Sequence, residues 1–189
     1  MQEDIFKHLG PLANLVGIWE GEKGVDVAPD KKRGTETNKY SERITFVPFG
    51  PVNNHEQTLY GLRYSTVATR IGADAPFHEE LGYWLWDAEA HQVLRCFMVP
   101  RGVTVLAGGT AKPDQKEFQL SAEVGSHTYG ICSNPFLDKE FKTMKYNLTI
   151  TVHGEGVFSY QEDTILKMPG RKDMFHHTDQ NRLKRISFG

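Results

Sequence analysis

From Gly17 onward the chain reads as one strand-length run after another with no long helix between any two of them, and this constrains the fold more than any other feature. Tyr40-Ser41-Glu42-Arg43-Ile44-Thr45-Phe46 and Tyr146-Asn147-Leu148-Thr149-Ile150-Thr151-Val152 show the alternation and the β-branched and aromatic enrichment of half-buried strands. Turn signals such as Phe49-Gly50-Pro51, Asp87-Ala88-Glu89 and Pro169-Gly170-Arg171 separate the runs. They mark about ten strands. Parallel neighbours need long, usually helical crossovers, so the expected course is an antiparallel meander. A meander of this length protects its edges by closing, which makes the first and last runs neighbours. Those runs are opened by Gly17-Ile18-Trp19-Glu20-Gly21 and by Phe175-His176-His177-Thr178-Asp179. The fold class is therefore all-β, an up-and-down antiparallel barrel of about ten strands.

Before Gly17, apolar residues at Ile5, Leu9, Leu12 and Leu15 keep a helical spacing despite Pro11, which predicts a short, broken helix over residues 1–16 that caps one barrel end. Residues 17–187 then form the barrel, and the 189 residues make one domain, a normal length for such a fold. Trp19 is expected to plug the base, since its ring buries a large area. Trp84 and Trp86 share one strand face, with Tyr83 and Leu85 on the other. Both sides of that strand are thus apolar, and one is expected to meet the N-terminal helix or a second subunit in a homodimer. The spacer from Gly125 to Thr143 is irregular and is expected to fold over the barrel.

Charge and cysteine use narrow the function classes. Twenty-two Lys and Arg against 24 Asp and Glu leave a net charge of -2 with no long run of either sign, so no nucleic-acid partner is expected. Lys31-Lys32-Arg33 before Gly34 reads as a solvated loop. No apolar run approaches the roughly 20 residues of a membrane span. Met1-Gln2-Glu3-Asp4 lacks the features of a secretory signal, so a cytoplasmic home is expected, with Cys96 and Cys132 reduced and buried as small hydrophobes.

Four motifs stand in one order along the chain: Gly17-Ile18-Trp19-Glu20-Gly21 with Gly24, the Tyr40 to Phe46 strand, Pro76-Phe77-His78-Glu79-Glu80-Leu81-Gly82-Tyr83, and the histidine-bearing last strand. In that order they resemble the nitrobindin-like haem-binding β-barrels, small relatives of the fatty-acid-binding-protein barrels, over nearly the whole chain from Leu12 to Ile186. The resemblance implies haem b at the barrel mouth, a last-strand histidine as proximal iron ligand, and an open sixth position that binds nitric oxide or isomerises peroxynitrite to nitrate. By that pattern the iron ligand is His177, with His176 as the alternative, and His78 lines the distal side.

Strand parity bears on the choice between the two histidines. Successive strand residues face opposite sides, and counting in twos from the apolar Leu183 reaches Asn181, Asp179 and His177 on the inward face. A bulge would reverse this. The same count turns Asp179 and Asn181 inward, where the family tends to carry smaller or apolar residues. Buried polar groups require partners, and Arg185 or Arg63 is the expected source of charge-assisted bonds. That series supports an alternative: a metal-free carrier of lipocalin or fatty-acid-binding type, whose ligand is a small apolar molecule with a polar head group. His177 and His78 also suit a purely structural role as hydrogen-bonded histidines near the barrel mouth.

No catalytic residues are assigned. Glu79 and Glu80 are strand neighbours and point oppositely, and no Ser/His/Asp or Cys/His set can be assembled. The glycines of Arg101 to Thr110 lack the Gly-Lys-Ser/Thr ending of a phosphate loop and are read as strand bends.

Overall fold

The computed structural model describes residues 5–154 and 156–188. After two 3-10 turns, Phe6–His8 and Gly10–Leu15, come β1 (Gly17–Pro29), β2 (Thr35–Asn53), β3 (Thr58–Arg70), β4 (Pro76–Asp87), β5 (Gln92–Val99), β6 (Val103–Thr110) and β7 (Glu117–Glu123). These are followed by β8 (Ile131–Ser133), a six-residue helix α1 (Pro135–Glu140), β9 (Lys142–Gly154), β10 (Val157–Lys167) and β11 (Phe175–Ser187). Every pairing is antiparallel. The ring closes where β5 meets β6, so the barrel has ten strands, with β8 as a three-residue addition alongside β6. The first and last long strands are neighbours, Trp19 standing opposite Arg185 and Val27 opposite Thr178.

Hydrophobic alternation sets the interior. Tyr40, Ile44 and Phe46 of β2, Leu62 and Tyr64 of β3, Val93 and Phe97 of β5 and Leu148 and Ile150 of β9 are all buried, and their alternate neighbours face outward. The strand beginning Glu117 shows the same period, with Phe118, Leu120 and Ala122 inside.

At the base, Leu9, Leu12 and Leu15 are fully buried, and the Trp19 indole donates to the Leu15 carbonyl at 2.7 Å. The Trp19 ring meets Phe158 edge-on at 4.7 Å between centroids. The expected helix is present as two 3-10 turns, because Gly10 takes a left-handed φ of +51° and Pro11 withholds a backbone donor. A side chain at Gly10 would run into the Trp86 ring, so the buried face of β4 is the one that meets the N-terminal segment. Residues 1–4 of the expected cap lie outside the described residues.

Three further expectations are corrected. The Gly125 to Thr143 spacer is partly regular: β8 pairs with β6, and Asn134 caps α1 by accepting from the Leu137 amide at 3.0 Å. It reaches the mouth, where Arg33 and Glu140 form an ion pair at 2.5 Å and Phe141 packs on Leu166, Met168 and Phe175. Phe49-Gly50-Pro51 lies inside β2 rather than separating two strands, because the ladder with β3 absorbs it as an irregularity between Phe49 and Val52. Cys132 is exposed, since the three-residue β8 alternates and Ile131 takes the inward position; Cys96 is half-buried, and both thiols are free. On the outer face of β4 and β5, Leu81, Tyr83 and Met98 are 65%, 46% and 54% exposed. Among the described residues no helix is long and apolar enough to cross a membrane.

Candidate functional site

Between the plugged base and the mouth, the inward positions of six strands change from apolar to polar at about the same height. On β2 the series Tyr40, Glu42, Ile44, Phe46 changes at Glu42, and on β4 the series Glu80, Trp84, Trp86 changes at Glu80. Thr66 of β3, Arg95 of β5, Tyr160 and Glu162 of β10 and Asp179 and Asn181 of β11 complete the layer. Glu42, Glu80 and Arg95 are only 8%, 4% and 7% exposed, so their charges must be met inside the barrel.

Half of this layer is met by an arginine. Arg95 bonds Glu80 at 2.5 Å, Glu162 at 3.2 Å and the Tyr64 hydroxyl at 3.2 Å, also contacts the Tyr146 hydroxyl, and lies over the Phe97 ring at 4.3 Å. Burial alone would raise the Glu80 pKa, but Arg95 and His78 hold it well below the usual carboxylate range. The His78 Nε2 sits 3.2 Å from Glu80. Burial works against its protonated form, yet the Glu80 bond and charge outweigh this and push His78 up to about 9.

The other half has no cationic partner. Glu42 accepts from Thr66 at 2.9 Å, Tyr160 at 2.9 Å and Asn181 at 3.1 Å, all neutral donors. Burial raises its pKa against those three bonds. Asp179 accepts from Tyr40, whose hydroxyl lies 2.7 Å from that of Tyr160. Burial, then the Glu162 charge, push Asp179 up to about 8, so it is largely protonated at neutral pH. The glycines of the opening motif make room for this layer: a Cβ at Gly21 would strike the Asn181 amide, and one at Gly24 the Tyr40 ring.

His177 faces the same side as Asp179 and Asn181, nearer the mouth, where its Nε2 lies 2.8 Å from Asp26. The Asp26 pKa would rise with burial, but the His177 bond brings it below the usual value. His176 points outward to Asp163 at 2.8 Å.

Of the other expected site residues, His78 joins the Arg95 half of the layer and Asp179 and Asn181 join the Glu42 half, whereas the two expected arginines reach neither. Arg185 lies at the base, donating to the Asn14 carbonyl and stacking on Trp19 at 4.5 Å, because the antiparallel register puts it beside Trp19 and far along the strand from Asp179. Arg63 is outward, over the Phe49 ring at 5.8 Å, since β3 turns Leu62 and Tyr64 inward. The arginine that does serve the interior, Arg95, was missed, as were Glu42, Glu162 and Asp26. Parity was the available signal: Arg95 lies between Val93 and Phe97 at steps of two, and Glu42 between Tyr40 and Ile44.

Beneath the polar layer lies a cavity of about 50 Å³ with a floor of Ile44, Phe46, Leu148, Ile150 and Phe158. It has room for roughly three to five waters or a ligand of similar size. Among the described residues no group of three or more His, Cys, Asp or Glu could hold a bare metal ion.

The sequence model of the THAP4-like, heme-binding beta-barrel domain matches residues 8–185. Among solved structures, the crystal structure of Rv2717c from M. tuberculosis is similar at 21% identity with a TM-score of 0.67, covering 94% of this chain and 96% of that one. That likeness carries the fold. No curated protein matches the chain.

The residues present do not fit a haem. A porphyrin requires apolar walls on both faces, whereas the layer between mouth and floor carries Glu42, Glu80, Glu162 and Asp179. The cavity is far smaller than the macrocycle. Haem propionates would add negative charge to a wall that already holds more carboxyl groups than cations.

Proposed function

Because this chain belongs to the THAP4-like, haem-binding β-barrel domain family, we propose that it keeps the family's barrel as a ligand-binding scaffold and uses it for a small molecule with a polar head group rather than for haem. The observation that carries this reading is the two-zone cavity: an apolar floor of Ile44, Phe46 and Phe158 beneath a layer in which Glu42 and Asp179 have only neutral hydrogen-bond partners. The floor buries a short apolar body, and the layer orients the head through fixed acceptors and tyrosine hydroxyls. The function is binding or carriage, in a cytoplasmic protein that acts alone or as a homodimer.

A second reading is haem b held through His177, with nitric oxide or peroxynitrite as its small-molecule partner. Family membership supports haem as a ligand class, and the His177–Asp26 pair supports it locally, since a carboxylate on one ring nitrogen fixes the orientation of an imidazole. Titration of the purified protein with ferric haem, followed in the Soret region on wild type and His177→Ala in parallel, separates the two. The proposal expects no saturable shift. A one-to-one shift that is lost in His177→Ala would overturn it in favour of haem.

A further inference from the structure

We propose that the cavity takes a small organic cation, an ammonium compound that also bears a hydrogen-bond acceptor, with its charge set against Glu42 and Asp179 and its acceptor meeting the indole N–H of Trp84. This inference rests on the small-ligand reading above and specifies the head group. It stands first on a count of charges. The cavity wall holds four carboxyl groups, Glu42, Glu80, Glu162 and Asp179, and two basic side chains, Arg95 and His78. Arg95 serves Glu80 and Glu162, and His78 serves Glu80, so both cations are spent on one side of the barrel. Glu42 and Asp179 are left with Thr66, Tyr160, Asn181 and Tyr40, which stabilise a carboxylate far less than an opposite charge does. An anionic head would meet unneutralised acids, and a neutral head would leave them as they are. An ammonium group would favour their ionised forms and pair with them, beside Tyr160, which also lines the cavity.

The second observation is independent of the acids. Trp84 lines the same cavity and is 2% exposed, and its Nε1 has no hydrogen-bond partner. A buried indole N–H is normally satisfied, as that of Trp19 is by Leu15. An unpaired donor at Trp84 calls for an acceptor on whatever enters. The cavity volume limits that molecule to a few heavy atoms. An amino alcohol of the size of 2-aminoethanol combines the three requirements.

Binding is expected to depend on pH in a definite direction. Asp179 is faced by Asp26 from β1, Tyr40 and Glu42 from β2, His78 from β4, Tyr160 and Glu162 from β10, and has His177 two places along its own strand. A cation favours the ionised carboxyl, so affinity should rise as the pH approaches 8 from below, the value to which Asp179 is pushed.

The test uses the intact protein and three probes matched in size: 2-aminoethanol, 1,2-ethanediol and glycolate, which are cationic, neutral and anionic. The indole N–H resonances of Trp19, Trp84 and Trp86 are followed by NMR, with Trp84→Phe identifying the cavity signal. We expect 2-aminoethanol to move the Trp84 resonance saturably, to bind at least about tenfold more tightly than either control, and to lose about tenfold in Glu42→Gln and in Asp179→Asn, variants that keep the side-chain shape. Equal or tighter binding of the diol or glycolate would overturn the cation and leave the small-ligand reading standing. Failure of all three to move the resonance would overturn both.

Discussion

The two ends of this barrel solve the same problem in opposite ways. At the base, Leu9, Leu12, Leu15 and Trp19 fill the lumen, and the one polar atom of the plug, the Trp19 indole nitrogen, is bonded at 2.7 Å. Toward the mouth the lumen is filled with charge, and two buried acids lack a counterion while the Trp84 indole has no partner. The base is a stability device packed from apolar side chains, in which the Arg185 Nε, beside the Trp19 ring, is the buried side-chain donor without a partner among the described residues. The polar layer carries costs that the protein itself does not offset, and such costs collect where a protein binds something.

This contrast can be broken from either side. The largest effect is expected at the base: Trp19→Ala should destabilise the barrel by about 3–5 kcal/mol, read as a lowered urea midpoint, because the N-terminal turns lose the ring they close against. Next comes the satisfied half of the polar layer. Arg95→Met leaves Glu80 and Glu162 buried without their cation and should cost about 3 kcal/mol in the same assay. The unsatisfied half should respond with the opposite sign. Asp179 titrates at about 8 in the fold against 3.8 in an ordinary setting, so the unfolded chain releases this proton first and stability falls as pH rises from 4 to 8. Asp179→Asn removes that penalty and should stabilise the protein by on the order of 1–2 kcal/mol at pH 8 and by almost nothing near pH 4. His78 acts in the same direction: with its pKa raised from 6.5 to about 9, its contribution is complete below 6.5 and is lost as pH rises through 9. The wild-type thermal midpoint should therefore fall between pH 6 and pH 9. A destabilising Asp179→Asn would mean that the acid is structural, and the contrast between the two regions would collapse.

What was legible in the sequence follows the same division. Alternation, turn residues and the lack of long helices were enough for a closed antiparallel barrel of about ten strands, because period-two burial is a local property that each strand displays by itself. Trp19 as the plug and the inward set His177, Asp179, Asn181 and Leu183 were readable for the same reason. The partners of those residues were not readable, since partnership depends on register. Arg185 has the right parity for Asp179 but lies at the base beside Trp19, whereas Arg95, on the far side of the sheet order, reaches Glu80 and Glu162. The N-terminal segment shows the local limit: Leu9, Leu12 and Leu15 suit a 3-10 spacing of three as well as an α-helical one, and Gly10-Pro11 decided between them.

The most direct test of the central claim, that the polar layer holds acids the barrel does not neutralise, is a ¹³C NMR titration of the side-chain carboxyl groups in the ligand-free protein. Asp179 is expected to titrate near 8 and Glu42 above its ordinary value, while Glu80 stays ionised well below the usual carboxylate range. Ordinary values near 4 for both Asp179 and Glu42 would contradict it, for their ionised forms would then be as well stabilised as in water and would leave no cost for a ligand to relieve.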